Sequence, residues 1–230
     1  MDKLKDLFDI NQLNQANFEA KAKELINNYC IKKGDKTYEF VEVEFYLFTK
    51  DHPDVITYPR EAMAGDWFFH SSGVDLCFSK VENGEVKMSS KDCCGGILIR
   101  SLREVDGEGK TIKTTNGPLK CCEQVLFDRF SAINPNPEQY PRLVARKPDA
   151  KKYDVKHTER FLNFSNPSNK RAELIKSRSK LVGENSDFKT RYDEFYLAKY
   201  RFFIDDPYKN YSNKKAIPKE SKSPSLEQTA

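Results

Sequence analysis

The sequence of 230 residues has no long apolar run, and this absence limits the kinds of protein that it can encode. Crossing a bilayer requires roughly 20 consecutive apolar residues, whereas hydrophobic residues make up only 38% of this chain, charged residues 32%, and mean hydropathy is −0.75. Met1 to Phe8 alternates charged with apolar residues and lacks the apolar stretch and cleavage site of a secretory signal. We therefore expect a soluble cytoplasmic protein with no membrane partner.

Residue patterns that usually carry acid–base or metal chemistry are scarce. The chain has three histidines, no glycine-rich phosphate loop and no Ser-His-Asp or Cys-His arrangement at a recognisable spacing. Its six cysteines should be free thiols in a reducing compartment, and four of them form the vicinal pairs Cys93-Cys94 and Cys121-Cys122. Zinc ligands close in sequence are normally separated by two or more residues, so we expect no metal. A thiol or zinc protein organised by these pairs is kept as a third hypothesis.

Charge is unevenly distributed along the chain. The formal net charge is +4, but residues 151–230 contain 18 Lys and Arg against 11 Asp and Glu, a net charge of +7, which leaves −3 on residues 1–150. Basic clusters such as Lys176-x-Arg178-x-Lys180 could contact phosphates, while the interleaved acidic residues also fit an ordinary solvated surface. The distribution permits a nucleic-acid partner without requiring one.

Apolar periodicity and turn residues predict a mixture of helices and strands. Helices are predicted over residues 17–28, from Pro118 onward and over 168–182. Strands are predicted over residues 38–47, 66–70, 74–79, 97–102 and 196–204, with a hairpin turn at Asn83-Gly84. Prolines predict a loop over residues 131–153, and the tail from Tyr211 lacks apolar periodicity, so we expect it to be disordered.

The strand predicted over residues 38–47 carries the most promising chemistry. Alternation places Val41, Val43 and Phe45 on one face and Glu42, Glu44 and Tyr46 on the other. Two carboxylates on one strand face repel each other, which raises the pKa of one and can make it a base that activates water. An acidic strand face is also often solvated or salt-bridged, and Arg100 could pair with either glutamate.

The order of several segments resembles the alkyladenine (3-methyladenine) DNA glycosylase family. The resemblance runs through Phe40 to Tyr46, the loop with His52, Trp67 to Cys77, Gly96 to Leu102, Asn116 to Lys120 and Tyr200 to Tyr208, within about residues 18–211. It implies a DNA base-excision repair enzyme that removes a modified purine without a metal or organic cofactor. No single motif carries the resemblance; the order of the segments does.

The resemblance also implies roles for individual residues. Glu44 corresponds to the general base that deprotonates water for attack on the anomeric carbon of the sugar. Tyr46 and Phe69 correspond to two aromatic walls around a flipped base. Arg100 corresponds to a contact with the nucleotide backbone, and His52 to the histidine of the pocket.

Two positions depart from the family pattern. Ser72 stands where the family has an aromatic wedge that replaces the flipped nucleotide, and Ser79 stands where it has an asparagine. Without the wedge, the protein loses an interaction that offsets a cost of a few kcal/mol for holding a base outside the duplex. A noncatalytic relative that binds nucleic acid or a nucleotide-like ligand is therefore the alternative.

His70 has no carboxylate partner at a spacing that indicates a catalytic pair.

The elements and the resemblance together predict a single α+β domain over residues 1–211, followed by a flexible tail over 212–230. The domain should contain a strongly curved, mainly antiparallel β-sheet or partial barrel flanked by helices. We expect a monomer.

Overall fold

The computed structural model describes residues 2–54, 56–90, 93–129, 131–160 and 194–206. Its helices are α1 (Asp2–Phe8), α2 (Phe18–Asn28) and α3 (Pro118–Cys121), and α3 continues directly as a π-helix over Cys122–Leu126. Short 3-10 helices span Ile10–Gln12, Gln15–Asn17 and Pro137–Gln139. No helix among the described residues is long and apolar enough to span a membrane. The helix predicted over 168–182 and the tail lie outside the described residues.

The strands occupy most of the middle of the chain. They are β1 (Tyr29–Lys33), β2 (Lys36–Phe48), β3 (Trp67–His70), β4 (Gly73–Phe78), β5 (Lys80–Glu82), β6 (Glu85–Lys87), β7 (Cys94–Val105), β8 (Thr111–Asn116), β9 (Arg142–Ala145), β10 (Lys156–Thr158) and β11 (Arg201–Phe203). Asn83 adopts a left-handed conformation with φ 53° between β5 and β6, as the Asn-Gly hairpin signal predicts.

Within the described ranges, nine strands form one antiparallel sheet whose main path is β10-β11-β2-β7-β4-β3. β1 pairs with β2 and β9, β8 pairs with β7, and β5 and β6 form a separate hairpin. The large sheet curls into a half-barrel, and together with the helices it makes a single domain. The predicted α+β class is confirmed.

Strand β2 forms the centre of the sheet because it is long and apolar on one side. Val43, Phe45 and Leu47 are fully buried on that side, and the Phe45 ring lies 5.3 Å from the ring of Phe18 on α2. The predicted alternation of β2 is confirmed. The opposite side of β2 is also buried, however, although its side chains are polar. That polar side requires internal partners, because burying an uncompensated charge is costly.

Two predicted elements need correction. The loop expected over residues 131–153 contains β9, which pairs with β1. Pro141 immediately precedes β9, where a missing N–H does not interrupt the pairing, so proline at that position marks the start of an edge strand. The strand expected over 196–204 is shorter than predicted and covers only Arg201–Phe203.

Candidate functional site

The side of the sheet opposite the apolar core carries a row of charged and aromatic residues. Glu44 lies opposite Arg201 on β11 and Leu98 on β7, while Asp75 on β4 lies opposite both Leu98 and Phe68. Directly paired residues of neighbouring strands share a face. We call this side the polar face; its charged and aromatic side chains are Glu42, Glu44, Tyr46, Phe68, Asp75, Arg100 and Arg201.

Glu44 lies on the polar face with none of its surface exposed. Its Oε2 accepts a hydrogen bond from the Tyr46 hydroxyl at 2.8 Å and another from Nη1 of Arg100 at 3.3 Å. Burial, and then the charge of Glu44, raise the pKa of the Tyr46 phenol well above its usual value. Tyr46 therefore remains a hydrogen-bond donor to Glu44 across the physiological pH range.

Glu42 makes the shorter contacts with arginine. Its Oε1 accepts from Nε of Arg100 at 2.8 Å and from Nε of Arg201 at 2.6 Å. Burial by itself lowers the pKa of Arg100, but Glu44 and Glu42 outweigh it, and the pKa is raised. Glu42 thus holds two guanidinium groups in place.

Arg160 and Asp54 add a second buried ion pair beside Tyr46. The guanidinium carbon of Arg160 lies 4.7 Å from the centre of the Tyr46 ring, and Nη2 of Arg160 donates to Oδ1 of Asp54 at 3.2 Å. Both charged side chains are fully buried. The pair covers one face of the Tyr46 ring and fixes its orientation. Sequence reasoning missed both residues, because they are 106 positions apart and no local pattern links them.

His52 lies in an aromatic environment next to this cluster. Its ring lies 5.5 Å from Phe18 and 5.6 Å from Tyr200. Nδ1 lies 2.8 Å from the carbonyl oxygen of Leu47, which can only accept, so Nδ1 carries the proton and Nε2 accepts from the Tyr200 hydroxyl at 3.0 Å. His52 is thus linked to Tyr46 through Tyr200 and Arg160, whose guanidinium lies 5.2 Å from the Tyr200 ring.

Phe69 lies away from the other predicted site residues. It pairs with Val74, so its side chain points to the face opposite that of its neighbour Phe68. It is 54% exposed, and its ring contacts Phe127 at 4.6 Å. Three strand spacings, about 14 Å, separate its strand from that of Glu44. The structure brings Glu44, Tyr46 and Arg100 together and leaves Phe69 on the other side of the sheet.

A third polar group lies on β3 and β4. Asp75 is 2% exposed; its Oδ1 lies 3.1 Å from Nε2 of His70, and its Oδ2 binds Nη1 of Arg60. No spacing in the sequence indicated a carboxylate partner for His70, but the β3–β4 hairpin brings Asp75 into contact with it. Arg60 also lies 4.7 Å over the Phe68 ring. A Cβ at Gly96 would lie 2.8 Å from Nη1 of Arg60, so glycine provides the space for this guanidinium.

Ser72 and Ser79, the two residues that differ from the glycosylase pattern, lie in different environments. Ser72 lies exposed in the turn between β3 and β4, where its backbone N–H donates to Nδ1 of His70 at 3.3 Å. Ser79 is fully buried. None of the six cysteines forms a disulfide, and in the described part of the chain no three His, Cys, Asp or Glu side chains converge as metal ligands.

Comparison with known proteins identifies a viral relative without an assigned activity. No family model and no solved structure matches the chain. The chain is similar to "Uncharacterized protein L759" of Acanthamoeba polyphaga mimivirus, with 27% identity over 146 residues, which cover 54% of this chain and 65% of that protein. The match thus spans less than two thirds of the length of this relative, whose name carries no activity.

Proposed function

We propose that this protein hydrolyses the N-glycosidic bond of a modified purine in DNA, with Glu44 activating the attacking water. The observation that carries the proposal is the buried Glu44 carboxylate, which the Tyr46 hydroxyl holds at 2.8 Å. Loss of the base builds positive charge on the deoxyribose, and a pre-oriented carboxylate stabilises such charge most effectively where water is scarce. The same carboxylate can accept a proton from water.

Glu44 suits this role better than Glu42. Glu42 shares one oxygen between two guanidinium groups at 2.8 and 2.6 Å. A carboxylate oxygen that two guanidinium groups already occupy is less available to an attacking water molecule. The contact from Arg100 to Glu44 is longer, at 3.3 Å. We therefore assign the structural role to Glu42 and the catalytic role to Glu44.

The neighbours of Glu44 supply the rest of the proposed site. Arg160 covers one face of the Tyr46 ring, so a purine would stack on the other face. Arg100, whose side chain is 12% exposed, would contact the nucleotide backbone at the solvent side of the site. Phe69, on the opposite face of the sheet, is not part of the proposed site.

The proposal can be tested by measuring whether the protein releases a base from oligonucleotides that each carry one methylated or deaminated purine. The wild-type protein should release at least one of these bases, and Glu44→Gln should lower the rate by about 10²- to 10⁴-fold because the general base is lost. Binding of the same DNA should be retained. Glu104→Gln makes the same chemical change at a partly exposed residue paired with Lys36 and should leave release unchanged. Wild-type protein that binds DNA but releases no base from the panel would contradict the proposal.

A noncatalytic DNA-binding protein is the second candidate, and the position of Phe69 favours it. Because Phe69 does not face Glu44, a flipped base would lack its second aromatic wall, and Ser72 provides no wedge. This candidate predicts DNA binding whose affinity falls as salt rises, with no base released. The Glu44→Gln variant should then bind DNA as tightly as the wild-type protein does, and neither protein should release a base.

A further inference from the structure

A cavity lies between helix α1 and the β3–β4 edge of the sheet, apart from the polar face. Its volume is about 340 Å³, within the range of small-molecule pockets. Its walls come from α1, the loop before β3, strands β3 and β4, and the start of β9. The apolar walls include Phe8, Trp67, Leu76 and Leu143.

Most side chains that line this cavity are apolar, but two, Lys5 and Arg142, are positively charged. Phe8 and Leu76 are each 2% exposed, so the inner wall belongs to the core. The indole N–H of Trp67 already donates to the carbonyl of Pro141 at 3.3 Å. Lys5 and Arg142 also line the cavity, and within the described residues neither forms an ion pair. An apolar cavity lined by two solvent-accessible cations is complementary to an anion with an apolar body.

We propose that this cavity binds an amphipathic carboxylate, a small molecule with an apolar chain and one anionic head group. The chain would displace water from the surface formed by Phe8, Trp67 and Leu76, which is the favourable contribution of apolar burial. The head group would accept charge-assisted hydrogen bonds from Lys5 and Arg142. Nucleotides fit less well, because the apolar walls offer few hydrogen-bonding groups to the edge of a base. The proposal does not depend on the activity assigned to Glu44.

Trp67 is the only tryptophan of the chain and lines the cavity, so its fluorescence reports occupancy directly. Decanoate, titrated below its micellar concentration, should change the emission in a saturable way. Decanol has the same chain without the charge and should bind at least about tenfold more weakly, since a hydrogen bond to a charged group contributes about 1.5–3 kcal/mol. Equal affinities for the two probes, or no saturable change with either, would overturn the proposal.

Two variants separate the head-group site from the apolar cavity. The double variant Lys5→Ala with Arg142→Ala should lose the preference for decanoate while still binding decanol. Ala64→Leu places extra volume in the cavity wall and should weaken both probes. Lys36→Ala removes a lysine that pairs with Glu104 elsewhere and should leave both affinities unchanged. A double variant that still prefers decanoate as the wild type does would refute the role of the two cations.

Discussion

Glutamine substitutions at Glu42 and Glu44 should have different effects on stability, although the two residues share one strand face. Arg201 is 2% exposed, and Nε donates to Glu42 at 2.6 Å; within the described residues, Glu42 is its only carboxylate partner. Glu42→Gln therefore leaves a buried guanidinium uncompensated, which costs about 3–5 kcal/mol. Among the described residues, Glu44→Gln removes the charged hydrogen bond from Arg100 and leaves Arg100 its shorter contact with Glu42, so it should cost about 1.5–3 kcal/mol.

Equilibrium unfolding in urea measures this difference, provided that the dependence of unfolding free energy on urea is unchanged among the variants. Arg201→Met in the Glu42→Gln background removes the uncompensated charge and should recover most of the lost stability. Arg201→Met in the wild type is the matched control and should itself destabilise, because it leaves Glu42 with fewer cationic partners. The reasoning fails if Glu42→Gln is no more destabilising than Glu44→Gln, or if the second substitution restores nothing.

Three further predictions concern other buried groups. Asp54→Asn should lower the unfolding free energy by about 3–5 kcal/mol, since it leaves Arg160 buried without its anion; an unchanged urea midpoint would contradict this. Cys93, the one half-buried thiol among six, should react first with a thiol reagent in the folded protein, and the other five only after unfolding. Burial raises the pKa of Cys121 from 9.0 to about 12, so its contribution to stability is complete below pH 9.0 and is lost as pH rises toward 12. Cys121→Ala should flatten this alkaline loss in urea unfolding curves.

Local patterns predicted the main elements with good accuracy. The helix expected over residues 17–28 spans Phe18–Asn28, and the strand expected over 38–47 spans Lys36–Phe48. Both depend on side chains repeating every 3.6 or 2 residues, a property that a short window of sequence contains. Strand β9 was missed because the prolines that flank it suggested a loop, while its pairing partner β1 lies more than 100 residues earlier in the chain.

The partners of the candidate site residues could not be predicted in the same way. Asp54 binds Arg160 across 106 positions, and Glu42 binds Arg201 across 159. Apolar periodicity carries no signal for such pairs, since both members are polar and each lies on a separate element. Arg100 was the exception. The sequence predicted either a contact with the nucleotide backbone or pairing with a glutamate of β2, and in the structure Arg100 contacts both Glu42 and Glu44.

The sequence by itself determined that Glu42, Glu44 and Tyr46 share one face of β2, because alternation along a strand is a local property of the backbone. Only the tertiary structure decided that this face is buried, that two arginines distant in sequence neutralise it, and that Phe69 lies on the other side of the sheet. Strand order and register determine those relations. They arise from pairing between segments far apart in the chain, which no short window of sequence records.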